Sequence, residues 1–287
     1  MASDTQKGTA LALIASAQWG ATGIWVALLR DLPTGTTLVF RFLTAALLLT
    51  VLLTVLLTLT RGFQRPNPRT LCGGVLLAAY YVLATVGFYL SDVVSVSLLV
   101  STSPFFVMLL SVLRRQPVAG REVLGGLLAF AGLTVVLLGG PDTAPAEHQG
   151  RLIGDACGLA AALAMALYSQ AGSRLQGQGW SVVLIGCVLG LLVSVPFASP
   201  AAAVPAARQW GLFLGLAAVS TLAPGYLYPL ACQRITPTAA TVVRLSTPFF
   251  TALFAFLVLG AALGGHHLLG APLLLIGVYL TLPRGRR

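Results

Sequence analysis

The chain has 287 residues, of which 57% are hydrophobic and only 8% are charged, and its formal net charge at pH 7 is +10. A soluble domain carries about 25% charged residues, so this composition excludes a soluble globular protein. The basic residues stand at the ends of long apolar stretches, where membrane proteins keep the charges that set their orientation, and this placement excludes a nucleic-acid-binding protein.

Apolar stretches of roughly 20 residues recur along the chain, the length that crosses a bilayer core of about 30 Å as an α-helix. They predict an all-α polytopic membrane protein with ten transmembrane helices: 8–29, 34–60, 70–90, 93–113, 121–140, 152–173, 180–197, 208–230, 237–258 and 266–282. Four cysteines stand singly, without a Cys-x-x-Cys pair, so we predict neither a metal site nor a disulfide framework.

The connection 141–150 has linker composition and falls at the midpoint of the chain. It separates a first five-helix repeat, 1–140, from a second, 151–287. With a cytoplasmic N-terminus, twelve of the seventeen basic residues lie on the cytoplasmic side, three lie outside and two lie inside helices. The distribution predicts that both termini are cytoplasmic, in a multi-pass protein of the plasma membrane, which in a bacterium is the inner membrane.

The two halves share a proline-centred helix. Ser-Thr-Ser-Pro-Phe-Phe at 101–106 matches Leu-Ser-Thr-Pro-Phe-Phe at 245–250, and the prolines, Pro104 and Pro248, are 144 positions apart. Because five helices is an odd number, the second half must enter the membrane from the opposite side. This predicts two inverted five-helix repeats, an architecture that lets one midplane site face either side of the membrane. A duplication that only enlarged a membrane scaffold is the alternative.

Several short motifs accompany this repeat. Trp19-Gly20 lies in the first predicted helix and Arg41-Phe42 early in the second. With the proline-centred fourth and ninth helices and the glycine-containing fifth and tenth, they resemble the EamA family of the drug/metabolite transporter (DMT) superfamily. The resemblance covers nearly the whole chain and implies ten helices, cytoplasmic termini and export of amino acids or related small metabolites. Many members carry Glu just before the mid-helix proline, whereas this chain has Ser103 and Thr247, so a carboxylate role cannot be carried over.

The two prolines are predicted hinges. Each removes one helical hydrogen bond and frees the carbonyl four residues earlier, that of Val100 for Pro104 and that of Arg244 for Pro248. Irregular backbone at membrane depth is tolerated where it is buried in protein or lines a water-filled cavity. A simple packing kink is the alternative.

Arg244 is the leading substrate-binding candidate, because it lies about two turns inside the ninth helix, where a charge is costly and by default functional. Snorkelling or capping of freed carbonyls are its other possible roles. No acidic residue lies deep in a predicted helix. A carboxylate or phosphate on the cargo is therefore the natural partner of this cation. Arg41, at a similar depth from the outer end of the second helix, is interpreted as structural.

Further substrate-binding candidates are the hydroxyl, amide and aromatic side chains near the predicted helix centres: Thr241, Thr247, Ser101, Ser103, Gln18, Trp19, Tyr80, Tyr81, Tyr168, Gln170 and Tyr226. Small hydroxyls also serve helix packing in membranes, and aromatic side chains at such depth often serve packing alone. Gly125 and Gly132 align with Gly270 and Gly277. They suit either close packing of the fifth helix on the tenth or a homodimer seam.

These features predict a cofactor-free transporter of small metabolites, most naturally an exporter of amino acids or related carboxylate-bearing compounds. A carrier of nucleotide-linked metabolites or drugs by exchange is the alternative. An enzyme is remote because no deep His, Lys, Asp or Glu could activate a nucleophile, and a channel because no ring of charges is visible. The same lack of titratable groups predicts facilitated diffusion or exchange. The expected partners are a small-molecule substrate and the lipid bilayer, with a homodimer left open as an alternative to the monomer, but no nucleic acid.

Overall fold

The computed structural model describes residues 4–29, 31–60, 67–91, 93–138, 148–198, 205–260 and 265–282. Within these residues the chain is helical throughout and has no strands. The α-helices are α1 (Asp4–Gly20), α2 (Thr22–Leu28), α3 (Thr34–Thr60), α4 (Pro68–Leu90), α5 (Val93–Val100), α6 (Ser103–Leu113), α7 (Gly120–Leu138), α8 (His148–Gly172), α9 (Gly179–Ser194), α10 (Ala207–Ala217), α11 (Ala223–Cys232), α12 (Pro237–Arg244), α13 (Thr247–Leu259) and α14 (Gly265–Thr281).

In the described part of the chain, seven helical stretches are long and apolar enough to cross a membrane: Gly35–Thr54, Pro68–Gly87, Val96–Leu113, Arg151–Gly172, Gly179–Phe197, Ala207–Cys232 and Pro237–Val258. A shorter apolar helix covers Leu269–Thr281. Large apolar side chains such as Leu192, Leu257 and Leu269 are more than 60% exposed, as expected for surfaces that face lipid. The prediction of an all-helical, multi-pass membrane protein is confirmed.

In two of the described helices, a capping side chain is followed directly by proline. Asn67 caps α4, since its Oδ1 accepts a hydrogen bond from the Thr70 N–H at 3.0 Å, and Thr236 caps α12 by accepting from the Ala239 N–H at 3.1 Å. In each case proline follows in the first helical turn, where its missing N–H leaves no hydrogen bond unmade. These local rules fix where the third and ninth predicted helices begin.

Four of the predicted helices are interrupted rather than continuous. The fourth and ninth divide into α5 with α6 and α12 with α13, and Pro104 and Pro248 lie in the first turns of the second segments. The first divides into α1 and α2, and a π-helix, Ala218–Leu222, joins α10 to α11 within the eighth. The sixth begins at His148, inside the predicted linker, of which 141–147 lie outside the described residues.

Corresponding helices of the two halves pack against each other in opposite directions. A Cβ added to Gly125 would lie 2.6 Å from the carbonyl oxygen of Gly277, and one added to Gly132 would lie 2.6 Å from that of Gly270. Residue numbers therefore rise along α7 as they fall along α14, and the two helices are antiparallel. The glycines thus form a close helix–helix contact inside one chain, the first of the two roles predicted for them.

A second corresponding pair, α3 and α9, is also antiparallel. Gly35 near the start of α3 lies against the backbone of Phe197 beyond the end of α9, and the ring of Phe42 lies against Gly190. The first helix of each half packs on the third helix of the other half, α1 on α11 and α8 on α4. The centre of the molecule therefore lies between these four helices, and the site described next is built there.

Candidate functional site

Arg244, at the end of α12, reaches across to the break between α5 and α6. Pro104 has no N–H to donate to the carbonyl oxygen of Val100, and Arg244 Nη2 donates to this oxygen at 3.3 Å. The same nitrogen donates to Ser103 Oγ at 2.7 Å. Val100 and Arg244 occupy equivalent positions, each four residues before a mid-helix proline. Their contact therefore marks the place where the two halves meet, and such capping is one of the roles the sequence predicts for Arg244.

The guanidinium of Arg244 is only partly satisfied by these bonds. The side chain is 5% exposed, its Cζ lies 5.6 Å from the centroid of the Tyr80 ring, and Nη1 donates to Tyr80 Oη at 3.4 Å. Its Nε is buried without a hydrogen-bond partner among the described residues. A buried donor without a partner is unfavourable. An anion or a water molecule at this nitrogen would remove the penalty.

An aromatic cluster, formed by Trp19, Tyr80, Tyr81 and Tyr228, lies beside this arginine. The ring centroid of Trp19 is 6.2 Å from that of Tyr80 and 5.3 Å from that of Tyr228, and the Tyr80 and Tyr81 centroids are 5.4 Å apart. Trp19 Nε1 donates to Tyr81 Oη at 3.0 Å. The structure thus brings together three predicted site residues from α1 and α4, and adds one from α11.

Arg41 enters the same cluster from α3. Its Cζ lies 4.9 Å from the centroid of the Tyr81 ring. Its Nε donates to Thr221 Oγ1 at 2.9 Å, and its Nη2 donates to the carbonyl oxygen of Ser220 at 3.2 Å. Ser220 stands four residues before Pro224, which has no N–H to offer it. Arg41 therefore secures the π-helix, in keeping with its predicted structural role, and brings a second cation to the aromatic cluster.

Tyr168 performs a similar capping in α11. Its Oη donates to the carbonyl oxygen of Gly225 at 2.8 Å, which Pro229 leaves without a donor. Its ring stacks on that of Tyr228, with centroids 6.4 Å apart, and Ser169 Oγ shares a hydrogen bond of 2.9 Å with Tyr228 Oη. Tyr168 is fully buried, so its hydroxyl is committed to the protein.

Gln170 and Tyr226, both predicted to bind substrate, lie outside the aromatic cluster. Gln170 Oε1 accepts a hydrogen bond from Arg114 Nη1, and its Nε2 donates to the carbonyl oxygen of Val107 at 3.4 Å. Tyr226 stacks on Trp180 with ring centroids 4.0 Å apart and planes inclined by 7°. These contacts join α8 to α6 and α11 to α9, so the structure does not bring the two side chains to Arg244.

The predicted hydroxyl and amide candidates divide into two kinds. Thr241 Oγ1 donates to two carbonyl oxygens of its own helix, at 2.8 and 2.9 Å, and Ser101 is buried in the turn between α5 and α6. Thr247 Oγ1 and Gln18 Oε1 are buried without a hydrogen-bond partner among the described residues. These two atoms and Arg244 Nε are therefore available to hydrogen-bond a ligand.

The sequence does not reveal the contribution of Tyr228. It stands two residues after Tyr226 in the same helix, and positions two apart point about 200° away from each other. Either tyrosine could face the centre, and the sequence pattern of α11 does not distinguish them. The sequence offers one signal, the adjacent Pro229. This proline leaves the carbonyl of Gly225 without its helical donor, and that carbonyl requires a donor on the inward face of α11.

Metal ligands are not assembled in this region. Within the part of the chain that the structure describes, no three His, Cys, Asp or Glu side chains lie together as a metal site requires. The chemistry available at the centre is therefore that of two guanidinium groups, hydroxyl groups, one amide and aromatic rings.

Comparison with known proteins identifies the family. The model of the EamA-like transporter family matches residues 6–138 and again 152–282. An "Uncharacterized transporter" of Archaeoglobus fulgidus is 26% identical over 278 residues, which are 92% of this chain and 93% of that protein. A protein of known crystal structure superimposes with a TM-score of 0.79 at 18% identity, over 96% of each chain, and so shares the fold. The chain belongs to the EamA-like transporter family.

Proposed function

We propose that this membrane transporter exports small carboxylate-bearing metabolites, amino acids or compounds related to them, by alternating access. Ten membrane crossings form two inverted five-helix repeats in the plasma membrane, with both termini in the cytoplasm. The family supports a transport function. The twelve basic residues assigned to the cytoplasmic side support the orientation.

Two observations support the inverted repeat. The family model matches the chain twice, once in each half. The corresponding helices α7 and α14, and likewise α3 and α9, run antiparallel, as they must when one copy is turned over in the membrane. Such an arrangement places a shared site at the interface of the repeats, and the contact between Arg244 and Val100 lies at that interface.

The observation that carries the substrate assignment is the unpartnered Nε of Arg244. A guanidinium donates charge-assisted hydrogen bonds to a carboxylate. The free Nε–H offers one such donor, while Nη2 already donates to Val100 O and Ser103 Oγ. Thr247 Oγ1 and Gln18 Oε1 supply further unpartnered polar atoms. The aromatic cluster supports a cargo with an apolar or ring-bearing body, which also suits the alternative of larger ring-bearing metabolites or drugs.

Exchange or facilitated diffusion is the transport mode that the site favours. Proton-driven carriers keep a titratable side chain within the membrane. Among the described residues, the acidic side chain of Asp155 lies in the second turn of α8, where its Oδ1 accepts from Ser91 Oγ at 2.6 Å, and Glu122 lies in the first turn of α7. Neither belongs to the aromatic cluster.

Arg244→Gln tests the assignment, because glutamine keeps hydrogen-bonding capacity and removes the charge. Carboxylates that stabilise the purified protein in a thermal-shift screen are assayed for counter-transport in proteoliposomes. We expect their affinity to fall by a factor of about 10 to 100, the range of a charge-assisted hydrogen bond. Arg121→Gln is the matched control, because Arg121 is exposed and donates only to the carbonyl oxygen of Leu282 at 3.1 Å.

Unfolding temperature and membrane expression of both variants separate binding from folding. Wild-type exchange by a folded Arg244→Gln protein would contradict the proposal. Arg244→Lys keeps the charge but not the planar guanidinium group. We expect its affinity for carboxylates to lie between those of the wild type and Arg244→Gln.

A further inference from the structure

We propose that the site selects net-anionic cargo, a carboxylate without a neighbouring ammonium group, over zwitterionic amino acids. The inference rests on the proposed function, since it concerns the substrate of the same site. Both classes carry the carboxylate that Arg244 would bind, so the distinction depends on what else the site offers. The charges around the aromatic cluster determine which of the two classes binds more tightly.

Two guanidinium groups contact adjacent rings of this cluster. Arg244 Cζ lies 5.6 Å from the ring centroid of Tyr80, and Arg41 Cζ lies 4.9 Å from that of Tyr81. The two rings are 5.4 Å apart, centroid to centroid. Arg41 and Arg244 are 6% and 5% exposed, so water screens their charges weakly. The centre thus carries two positive charges within a small volume.

Among the residues that the structure describes, no acidic side chain lies in the cluster to balance these charges. Of the acidic residues that the structure describes, Asp4 and Glu122 lie in first turns of helices and Asp31 lies beyond α2. Asp155 is bonded to Ser91 near the start of α8. The remaining three acidic residues of the sequence lie outside the described residues: Asp92, Asp142 and Glu147.

Of the neutral groups that could hold an ammonium, the unpartnered amide and hydroxyl oxygens carry no charge that would offset the two cations, and several others are already occupied. A cation can bind a free backbone carbonyl, but Val100 O and Ser220 O, both freed by prolines, accept from Arg244 and Arg41. A cation can also bind an aromatic face, but the guanidinium groups already contact the rings of Tyr80 and Tyr81. An ammonium on the cargo would therefore lose its hydration, meet two like charges and find no charged partner among the described side chains.

Matched ligands test this directly. The full-length protein in nanodiscs at pH 7.4 is titrated with 3-phenylpropionate, L-phenylalanine and phenethylamine, which share one ring and carry the carboxylate, both groups, or the ammonium alone. A second series, 4-methylpentanoate, L-leucine and 3-methylbutylamine, repeats the comparison with an aliphatic body. We expect the carboxylate without ammonium to bind at least about tenfold more tightly than its amino acid in the better-bound series, and neither amine to bind.

Variants of Arg41 identify the cause of the discrimination. Arg41→Gln removes one of the two charges, so the ratio between 3-phenylpropionate and L-phenylalanine affinities should fall several-fold. Arg41→Lys keeps the charge and should keep most of the ratio. A purely structural role of Arg41 would weaken both ligands equally and leave the ratio unchanged, which would contradict the electrostatic argument.

The possible results separate the two proposals. Equal or tighter binding of the amino acid, lost in Arg244→Gln, would overturn the inference and leave the proposed carboxylate function in place. If no carboxylate in either series binds in a manner that depends on Arg244, both fail.

Discussion

Three buried side chains donate hydrogen bonds to carbonyl oxygens that prolines on other helices leave without a donor. Arg244 donates to the carbonyl of Val100, Arg41 to that of Ser220, and Tyr168 to that of Gly225. Each acceptor stands four residues before a proline and so lacks its usual helical donor. A carbonyl without a donor is unfavourable away from water. These three side chains therefore hold interrupted helices against their neighbours, and the two arginines place positive charge at the centre.

Tyr168→Phe isolates one such contact. The change removes only the hydroxyl that donates to Gly225 O, so we expect the free energy of unfolding to fall by about 1 to 3 kcal/mol, the penalty of leaving a buried acceptor unsatisfied. Because this hydroxyl is committed to the protein, the KM for cargo should stay within about twofold of wild type. Tyr279→Phe, at a residue that is 67% exposed on α14, is the control. Equal unfolding temperatures for the two variants would contradict the assignment.

At the residue scale, the sequence predicts a site residue whose burial is energetically costly, such as a charged one. It does not predict site residues whose role depends on the direction in which the side chain points. An arginine deep in an apolar helix can be recognised from the sequence, because a charge at that depth is costly and usually functional. Arg244 lies buried at the centre. The sequence indicates Trp19, Tyr80 and Tyr81 as candidates from their depth along the predicted helices, and in the structure their rings lie together at the centre. Gln170 lies at equal depth but bonds Arg114, since depth along a helix does not say which way a side chain points.

The helices are regular where side chains are apolar and interrupted where proline removes a donor. The positions of the breaks in the fourth and ninth predicted helices follow from Pro104 and Pro248. The form of each interruption does not, because it depends on which donor another helix supplies. Ser220 O, for example, is held by Arg41 inside a π-helix, and nothing local to residues 218–222 predicts that. The hinge role of the two prolines stays a prediction.

Close packing of α7 on α14 depends on glycine. A Cβ added to Gly132 would lie 2.5 Å from the Leu274 nitrogen and 2.6 Å from the Gly270 carbonyl oxygen, so the helices must separate to admit it. Gly132→Ala should lower the free energy of unfolding by about 1 to 3 kcal/mol, as overpacking does. In Gly211→Ala the added Cβ meets nothing within 4 Å, so the better helix former should leave stability unchanged or raise it slightly. Equal effects would contradict the packing.

At the scale of the whole molecule, the sequence predicts an inverted repeat but does not predict which side chains of the two halves lie together. Two proline-centred segments 144 residues apart, and an odd number of helices in each half, predict an inverted pair. The antiparallel contacts of α7 with α14 and of α3 with α9 agree with that prediction. The convergence of Arg41 and Arg244 on adjacent tyrosines is a tertiary property of three separate helices, α3, α4 and α12, and no spacing along the chain encodes it.

The central claim is that polar atoms beside Arg244 line one site that opens in turn to each side of the membrane. Thr247→Cys places a thiol at the unpartnered hydroxyl, in a protein whose four free cysteines have been replaced by alanine. Thr281→Cys, at a fully buried residue of α14, is the control for reagent access.

The decisive measurement is the rate at which an impermeant anionic methanethiosulfonate reagent modifies Cys at position 247 from each side of oriented vesicles. The account predicts modification from both sides, slowed by bound carboxylate cargo and by Arg244→Gln. Absence of modification from either side, or modification from one side that cargo does not affect, would contradict it.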